Sequence, residues 1–431
     1  MSSLAENERD VLIIGAGPAG ATAARVLARA GVSVTLLDRE SFPREKCCAG
    51  WLSALAFGEF PELKGTVPDA SLLRGLSPSS PPAQQKQWGQ SQTAGQPPTA
   101  GQSPLPVECA FKGLVFHSPD LETTAAWSGA DPVGFQVNRA AFDAALVDLA
   151  HEAGAEVILG EAVTEIVETD AGVSVKTQSG KSLSAKLLIG ADGANSFVAR
   201  SLGLMQEITA ADMIGSVNES FELGESRVTE LYGADRAIHV ALAYNFLAGY
   251  AWAFPKKSSV ALGLGGKGLS GEKARVRFKE WVADAQRIGL LPASSVGARH
   301  AVPAQTPAGG VIPAGVALKA KSLVSKRAIL VGDAGGFVSS ASGEGIYPGM
   351  VSAKIAAEVV LRALARGDSP LKRETVGTVP ALAEFDALWR ARLGRHLAMP
   401  NVNLQMMLPM IFSDPRVTAK FARAFLFGEK F

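Results

Sequence analysis

VLIIGAGPAG, from Val11 to Gly20, sets a continuous apolar run directly ahead of glycines spaced G-x-G-x-x-G. The run has the length of a buried strand, and the alanine-rich segment Ala21 to Ala30 that follows reads as a helix closed by Gly31. A second apolar run, Val32 to Leu37, ends in Asp38 and completes a β-α-β unit of about 30 residues. In such a unit Gly15 permits the tight turn, Gly17 lets backbone approach a pyrophosphate, and Gly20 lets helix and strand pack closely. The N–H groups at the helix start, around Ala19, face the phosphates, and Asp38 stands where it can accept hydrogen bonds from a ribose, with Arg39 beside it. A lone glycine pattern reads equally well as an ordinary turn. Strand, helix and acid in this order mark a dinucleotide site.

The rest of the chain divides by pattern. Ser77 to Pro104 reads SPSSPPAQQKQWGQSQTAGQPPTAGQSP, too rich in Pro, Gln, Ser and Gly to bury a core, and is expected to be a flexible low-complexity insertion with Trp88 as its large anchor. Phe142 to Ala153 has helical spacing, and strands are expected at Glu156 to Ile158, Ala162 to Val167, Val173 to Thr177 and Leu187 to Ile189. From about Met213 to Leu264 apolar and polar residues alternate as in an antiparallel sheet. A strand at Ala328 to Val331 then runs into GDAGG and a helix from Pro348 to Arg366, and the last 60 residues read as mainly helical. The expected fold class is α/β. A Rossmann-like dinucleotide domain, with inserted elements, is assembled discontinuously from 1–76, 105–212 and 325–370; an antiparallel-sheet substrate domain at 213–324 is inserted, and 371–431 forms a helical C-terminal region.

The glycine turn alone does not separate NAD from FAD. IGADGANS (Ile189 to Ser196) and AILVGDAGG (Ala328 to Gly336) resemble the two distal flavin signatures of the aromatic-hydroxylase superfamily of single-component flavin monooxygenases. That resemblance implies FAD, with Asp192, Gly193, Gly332 and Asp333 at the cofactor. QVNRAAFD, Gln136 to Asp143, resembles the family's helix start whose Arg, here Arg139, lies near the flavin. Within the superfamily the chain resembles the geranylgeranyl reductase family through three stretches. FPREKCCAGWLS (Phe42 to Ser53) carries Arg44 and places Cys48 at the family's cysteine, with Ala49 where the family has the first of two glycines. YAWAFP (Tyr250 to Pro255) puts Tyr250, Trp252 and Phe254 on one face of a strand, where they form either an apolar cavity wall or core. SGEGIY (Ser342 to Tyr347) resembles the turn that brings Gly343, Gly345 and Ile346 near the isoalloxazine and Glu344 to the substrate pocket.

The resemblance implies hydride transfer from reduced FAD to a C=C bond of an apolar substrate, with NAD(P)H or another reductant as transient donor. Three other readings are weighed: a monooxygenase acting on an aromatic or peptidyl substrate, a halogenase, and a maturation factor that holds FAD structurally. The halogenases' Trp-x-Trp-x-Ile-Pro departs at two positions from Tyr250, Trp252, Phe254 and Pro255. No catalytic residue is assigned. GLGGKG, Gly263 to Gly268, also fits G-x-G-x-x-G, but no second strand ending in an acid follows, so a second dinucleotide domain is not expected.

Composition bounds the partners. Forty-two basic and 41 acidic side chains nearly cancel, which leaves no footprint for nucleic acid. Three cysteines, Cys47, Cys48 and Cys109, form no disulfide framework, and with no signal-peptide pattern the cytoplasm is expected. His117, His151, His239, His300 and His396 show neither metal-ligand spacing nor pairing, so no metal site is expected. Met399, Met406, Met407 and Met410 read equally as cavity lining or core. Arg416, Lys420, Arg423 and Lys430, interleaved with Phe421, Phe425 and Phe427, read as a solvated helix face or as contact with a protein or a membrane periphery.

Overall fold

A computed structural model describes residues 8–60, 63, 106–293, 308–366, 379–400 and 403–431. The insertion expected at 77–104 and His300 lie outside the described residues. The first apolar run is the strand Glu8–Ile14, in which Val11, Leu12 and Ile13 have no exposed surface. It lies at the centre of a parallel array, between Val34–Leu37 and Ser182–Gly190, with Glu156–Ile158 outside Val34–Leu37. The long strand Ser182–Gly190 is shared along its outer edge. Its first half pairs antiparallel with Val173–Thr177, which in turn pairs antiparallel with Val163–Glu168, while its last residues pair parallel with Ala328–Leu330. Both distal turns therefore leave the sheet at the same end as the glycine turn.

Helix Pro18–Arg29 begins with Pro at its first turn and Gly17 as its N-cap, and it packs on the helix Ile346–Arg366. Small residues make this possible: Ala21, Ala23 and Ala24 are fully buried. A side chain on Gly349 would stand 3.4 Å from the Gly332 backbone and 3.9 Å from Ala19, so helix and turn approach to backbone contact. Burying each of Leu12, Ile13 and Leu27 in this core contributes about 1.5–3 kcal/mol before the entropy of ordering is subtracted.

The second sheet has seven strands in the order Ala308–Ile312, Ile214–Glu222, Ser259–Gly266, Gly249–Pro255, Ile238–Leu242, Gly113–His117 and Thr124–Ser128. Two of these differ from expectation. Gly113–His117 and Thr124–Ser128 fall within 105–212, assigned above to the dinucleotide domain, yet they extend the antiparallel sheet. Local pattern identifies a strand but not the sheet that receives it. GLGGKG likewise ends the antiparallel strand Ser259–Gly266 and opens no nucleotide-binding helix. Side-chain alternation gives this sheet two buried faces. Ala251, Ala253, Leu262 and Leu264 meet Phe278 and Trp281 of helix Gly271–Arg287, whereas Trp252, Phe254 and Ala261 meet Phe421 and Phe425 of helix Pro415–Phe427.

A small sheet of Trp51–Ser53, Gly134–Val137 and Val107–Phe111 bridges the two units. The C-terminal region supplies helices Glu384–Leu397, Leu404–Ser413 and Pro415–Phe427. Its aromatic residues Phe421 and Phe425 face inward, and Met399, Met406 and Met410 are 57%, 74% and 48% exposed. Those three thioethers thus fill neither cavity nor core. No helix among the described residues is long and apolar enough to cross a membrane.

Candidate functional site

One cavity of about 930 Å³ runs from the glycine turn to the second sheet. At its first end lie Gly15, Gly17, Ala19, Asp38, Arg39 and Arg44. Gly15, at φ +101, passes so close to the next strand end that a Cβ would stand 2.3 Å from the Ala191 carbonyl; a Cβ on Gly20 would stand 1.8 Å from that of Gly15. Both glycines serve the protein's own packing; Gly15 also lines the cavity, and Gly20 does not. Gly17 differs. A Cβ there would meet only the Arg44 guanidinium at 3.5 Å, an ordinary contact, and would otherwise project into the cavity. The space denied to a side chain at Gly17 is the space a pyrophosphate would take, at a helix N-terminus and beside a guanidinium. Asp38 Oδ2 accepts the Ala16 N–H at 2.6 Å and Oδ1 that of Glu40 at 2.9 Å, so the carboxylate also ties the turn to the second strand. Arg39 pairs with Glu40 and its side chain is 75% exposed at the cavity mouth.

Arg139 and Arg44 converge on a residue that sequence reasoning passed over. Asp143, with no exposed surface, accepts two hydrogen bonds from Arg139, at 2.8 and 2.7 Å, and an ion pair from Arg44 at 3.3 Å. Arg139 and Asp143 are four apart on the helix Arg139–Glu152, a spacing that places both on one face. Burial alone would depress the Arg139 guanidinium, but Asp143 and the adjoining Cys48 sulfur overturn that and raise it above its ordinary value. Cys48 also accepts the Gly50 N–H at 3.4 Å and lines the cavity. Its neighbour Cys47 faces Gly310 of the second sheet; burial first, and Cys48 next, push its thiol up to about 11.

The two distal turns reach the cavity in different ways. Asp192 is consumed locally: Oδ1 accepts the Ser196 hydroxyl at 2.5 Å and Oδ2 accepts the N–H groups of Phe197 and Val198, which start the short helix Phe197–Ser201. Burial raises its carboxyl above the ordinary value against those hydrogen bonds. Gly193 follows at φ +84 with open space about it. Gly332 and Asp333 line the cavity opposite Ala19, and Gly343, Gly345 and Ile346 line it further on. A Cβ on Gly345 would come within 3.2 Å of Asp333 Oδ1, so the two turns meet there.

Glu344 lies in the lining, but its carboxylate is turned into the protein rather than offered to a substrate. Oε1 accepts the Ser53 N–H at 3.1 Å, Oε2 lies 3.2 Å from His396 Nε2, and the side chain has no exposed surface. The histidines also pair where the sequence showed no pairing. Besides His396 with Glu344, His117 Nε2 lies 2.8 Å from His239 Nδ1, because their strands are parallel neighbours. Burial depresses His117 to about 4; burial and then His117 depress His239 to about 3. Among the described residues no cluster of His, Cys, Asp or Glu suits a metal ion.

The far wall is aromatic. Tyr250, Trp252 and Phe254 follow at alternate positions of Gly249–Pro255, with ring centroids 5.7 and 6.1 Å apart, and Trp51 meets Phe254 edge-on at 6.2 Å. Phe425 backs the wall, stacked on Trp51 at 6.0 Å. Three polar groups of the wall bond within the protein: Tyr250 donates to the Ser342 carbonyl, Trp252 Nε1 to Asn218 Oδ1 at 3.1 Å, and Ser216 Oγ to the Gly310 carbonyl at 3.2 Å, whereas Trp51 Nε1 is buried with no hydrogen-bond partner among the described residues. Burial, and then Cys48, push the Tyr250 phenol up from its ordinary value.

The family described as FAD binding domain matches residues 8–53 and 116–244. The chain is an FAD-dependent oxidoreductase. This flavoprotein is 28% identical over 370 residues to an uncharacterized protein of Methanosarcina barkeri, covering 83% of this chain and 76% of the other. It is 26% identical to the digeranylgeranylglycerophospholipid reductase of Methanocella arvoryzae, covering 91% and 85%. The fold is shared with the solved geranylgeranyl bacteriochlorophyll reductase-like protein of Thermoplasma acidophilum, at a TM-score of 0.69 and 19% identity over 98% of this chain and 97% of that one. It is shared also with the halogenase PltM in complex with FAD, at 0.65 and 19% over 97% and 80%. The flavoprotein's motifs resemble those of the geranylgeranyl reductase family, and the chain as a whole is similar to reductases named for geranylgeranyl lipids. When bound, FAD would supply hydride chemistry; the open Gly17 turn, Arg44 and the turns at Gly332 and Gly343 line the cavity and would hold it.

Proposed function

We propose that this flavoprotein reduces a C=C bond in an apolar, prenyl-like substrate, with reduced FAD giving the hydride, a proton completing the new C–H pair, and NAD(P)H or another reductant restoring the cofactor. The observation that carries the reading is the internal hydrogen bonding of the far wall. With Tyr250, Trp252 and Ser216 each bonded within the protein and the unpartnered Trp51 N–H buried, the wall presents mainly ring faces, which suits a hydrocarbon better than a phenol or a peptide. The reductases among the relatives, named for geranylgeranyl lipids, support the same reading. Cofactor contacts are assigned to Gly15, Gly17, Ala19, Asp38, Arg39 and Arg44 at the dinucleotide end, and to Gly193, Gly332, Asp333, Gly343, Gly345 and Ile346 at the flavin end. Gly20 and Asp192 act through local structure, and Arg139 acts through Cys48 and Asp143. Tyr250, Trp252, Phe254 and Cys48 would contact substrate. A lipid of this kind resides in a membrane. The exposed Met406 and Met410 of Leu404–Ser413 support peripheral contact through the C-terminal region.

The test is turnover without oxygen. Holoprotein reduced anaerobically is mixed with a geranylgeranyl lipid, flavin reoxidation is followed by absorbance, and product by mass spectrometry. Reoxidation in step with the gain of a hydrogen pair per double bond is expected. Oxygen-dependent turnover to a hydroxylated product, with no anaerobic reaction, would overturn the reading.

A further inference from the structure

The Ser342–Tyr347 turn at the flavin end of the cavity is held from behind by the C-terminal region. His396, in the last turn of helix Glu384–Leu397, places Nε2 at 3.2 Å from Glu344 Oε2. Its other nitrogen, Nδ1, faces the Phe427 carbonyl at 3.4 Å at the end of helix Pro415–Phe427, and the ring meets Tyr347 edge-on at 5.3 Å. The imidazole is therefore fixed on three sides and its side chain is 9% exposed. Glu344 in turn joins this helix to strand Trp51–Ser53 through the Ser53 N–H, and its carbonyl accepts the Ser339 N–H at 2.9 Å. One residue after Ser339 in the same loop, Ser340 donates both its N–H, at 3.0 Å, and its hydroxyl, at 2.7 Å, to the Leu397 carbonyl.

A carboxylate with no exposed surface needs partners for its lone pairs, and Glu344 has two: a backbone N–H and His396. If His396 is lost, one oxygen of Glu344 is left buried without a partner, and the turn can relieve this only by moving toward solvent, which is the cavity. We propose that His396 is a positioning residue for FAD: by holding Glu344 it fixes the Gly343–Ile346 turn, and it thereby couples cofactor retention to the docking of the C-terminal helices. By linkage the coupling runs both ways, so bound FAD steadies the helix Glu384–Leu397. The proposal concerns FAD alone and stands apart from the identity of the substrate.

The experiment compares FAD release from diluted holoprotein, read by flavin fluorescence, in wild type, His396→Ala, His396→Gln and Arg392→Met. Gln keeps an N–H donor at the reach of Nε2. Arg392→Met, on the same helix as His396, breaks the ion pair to Glu59 of helix Leu55–Glu59 and leaves the contacts of Glu344 in place. Roughly tenfold weaker retention is expected for His396→Ala, with His396→Gln and Arg392→Met within about twofold of wild type. Hydrogen exchange of residues 384–397, measured with FAD bound and after its removal, should show FAD-dependent protection in wild type that His396→Ala lacks. Equal weakening by His396→Ala and Arg392→Met would mean that any loosening of the helix suffices, and unchanged retention in His396→Ala would mean that the contact is idle; either result overturns the proposal. Should His396→Ala fail to fold, absence of FAD-dependent protection in wild type overturns it equally.

Discussion

Gly15 and Gly17 stand two residues apart and lack a Cβ for different reasons. At Gly15 the neighbour is the protein, with the Ala191 carbonyl 2.3 Å from where a Cβ would be. At Gly17 the backbone is extended in ψ with φ at −67°, which any residue adopts, and the nearest atom to a Cβ is 3.5 Å away. A side chain at 17 thus costs the apoprotein little and projects into the cavity, where the proposed reading puts the pyrophosphate. Gly17→Val is expected to fold with stability within about 0.5 kcal/mol of the wild-type apoprotein and to lose FAD. Thermal unfolding and the flavin-to-protein absorbance ratio after gel filtration check both halves; undiminished flavin would contradict the assignment. The same scale shows where sequence reading stops. Arg139 and Asp143 stand four apart, so their pairing was open to inspection, whereas Arg44 reaches Asp143 from another part of the chain and no local pattern announces it. The sequence reading puts Glu344 in the turn Ser342 to Tyr347 and gives it to the substrate pocket, whereas its carboxylate is turned into the protein. The direction of its carboxylate depends on His396, 52 positions later, which carries no signal of its own.

Elements were legible where their period is strong. The glycine turn, its helix and the two distal aspartate turns stand where the sequence put them, because an apolar run ending in a glycine-rich turn has few alternatives in an α/β fold. Sheet membership was less legible, since Gly113–His117 and Thr124–Ser128 read as strands of either unit and join the antiparallel sheet only through Ile238–Leu242. The aromatic wall depends on the next strand as much as on its own. Gly263 lies opposite Trp252 in register, and a Cβ there would stand 2.2 Å from the indole and 2.6 Å from the Val217 carbonyl. The indole lies flat on the sheet because position 263 is empty, and in that pose its N–H reaches Asn218. Gly263→Ala must therefore displace Trp252 into the cavity or strain the sheet. A loss of about 1–3 kcal/mol in stability is expected, together with a shift in tryptophan emission as the indole leaves its partner. Unchanged unfolding and emission would show that the wall can absorb a methyl group.

At the scale of the molecule, the antiparallel sheet is clamped between helix Gly271–Arg287 and the C-terminal helices, and on the first of these faces the His117–His239 pair is enclosed with the Tyr232 ring 5.3 Å from His239. Each imidazole can give one proton and take one, so two neutral rings share the 2.8 Å hydrogen bond, whereas two cations would repel in a site that also strips their hydration. In the unfolded chain both rings protonate near their ordinary value of about 6.5. In the fold they resist protonation down to about 4 and about 3. Both folded values lie below the unfolded one, so the stabilisation is fully present above pH about 6.5 and is lost as pH falls toward about 4, while the unfolded state binds protons that the native state does not. Each ring contributes a slope of up to about 1.4 kcal/mol per pH unit across that window. Most of the window lies above the range in which carboxylates titrate, so it can be read separately from ordinary acid unfolding. Unfolding midpoints in urea measured from pH 7.5 to 4.5 should fall steeply for wild type and much less for His117→Phe/His239→Leu, which removes both titrating groups. An equal fall in the two proteins would place the acid sensitivity elsewhere in the chain.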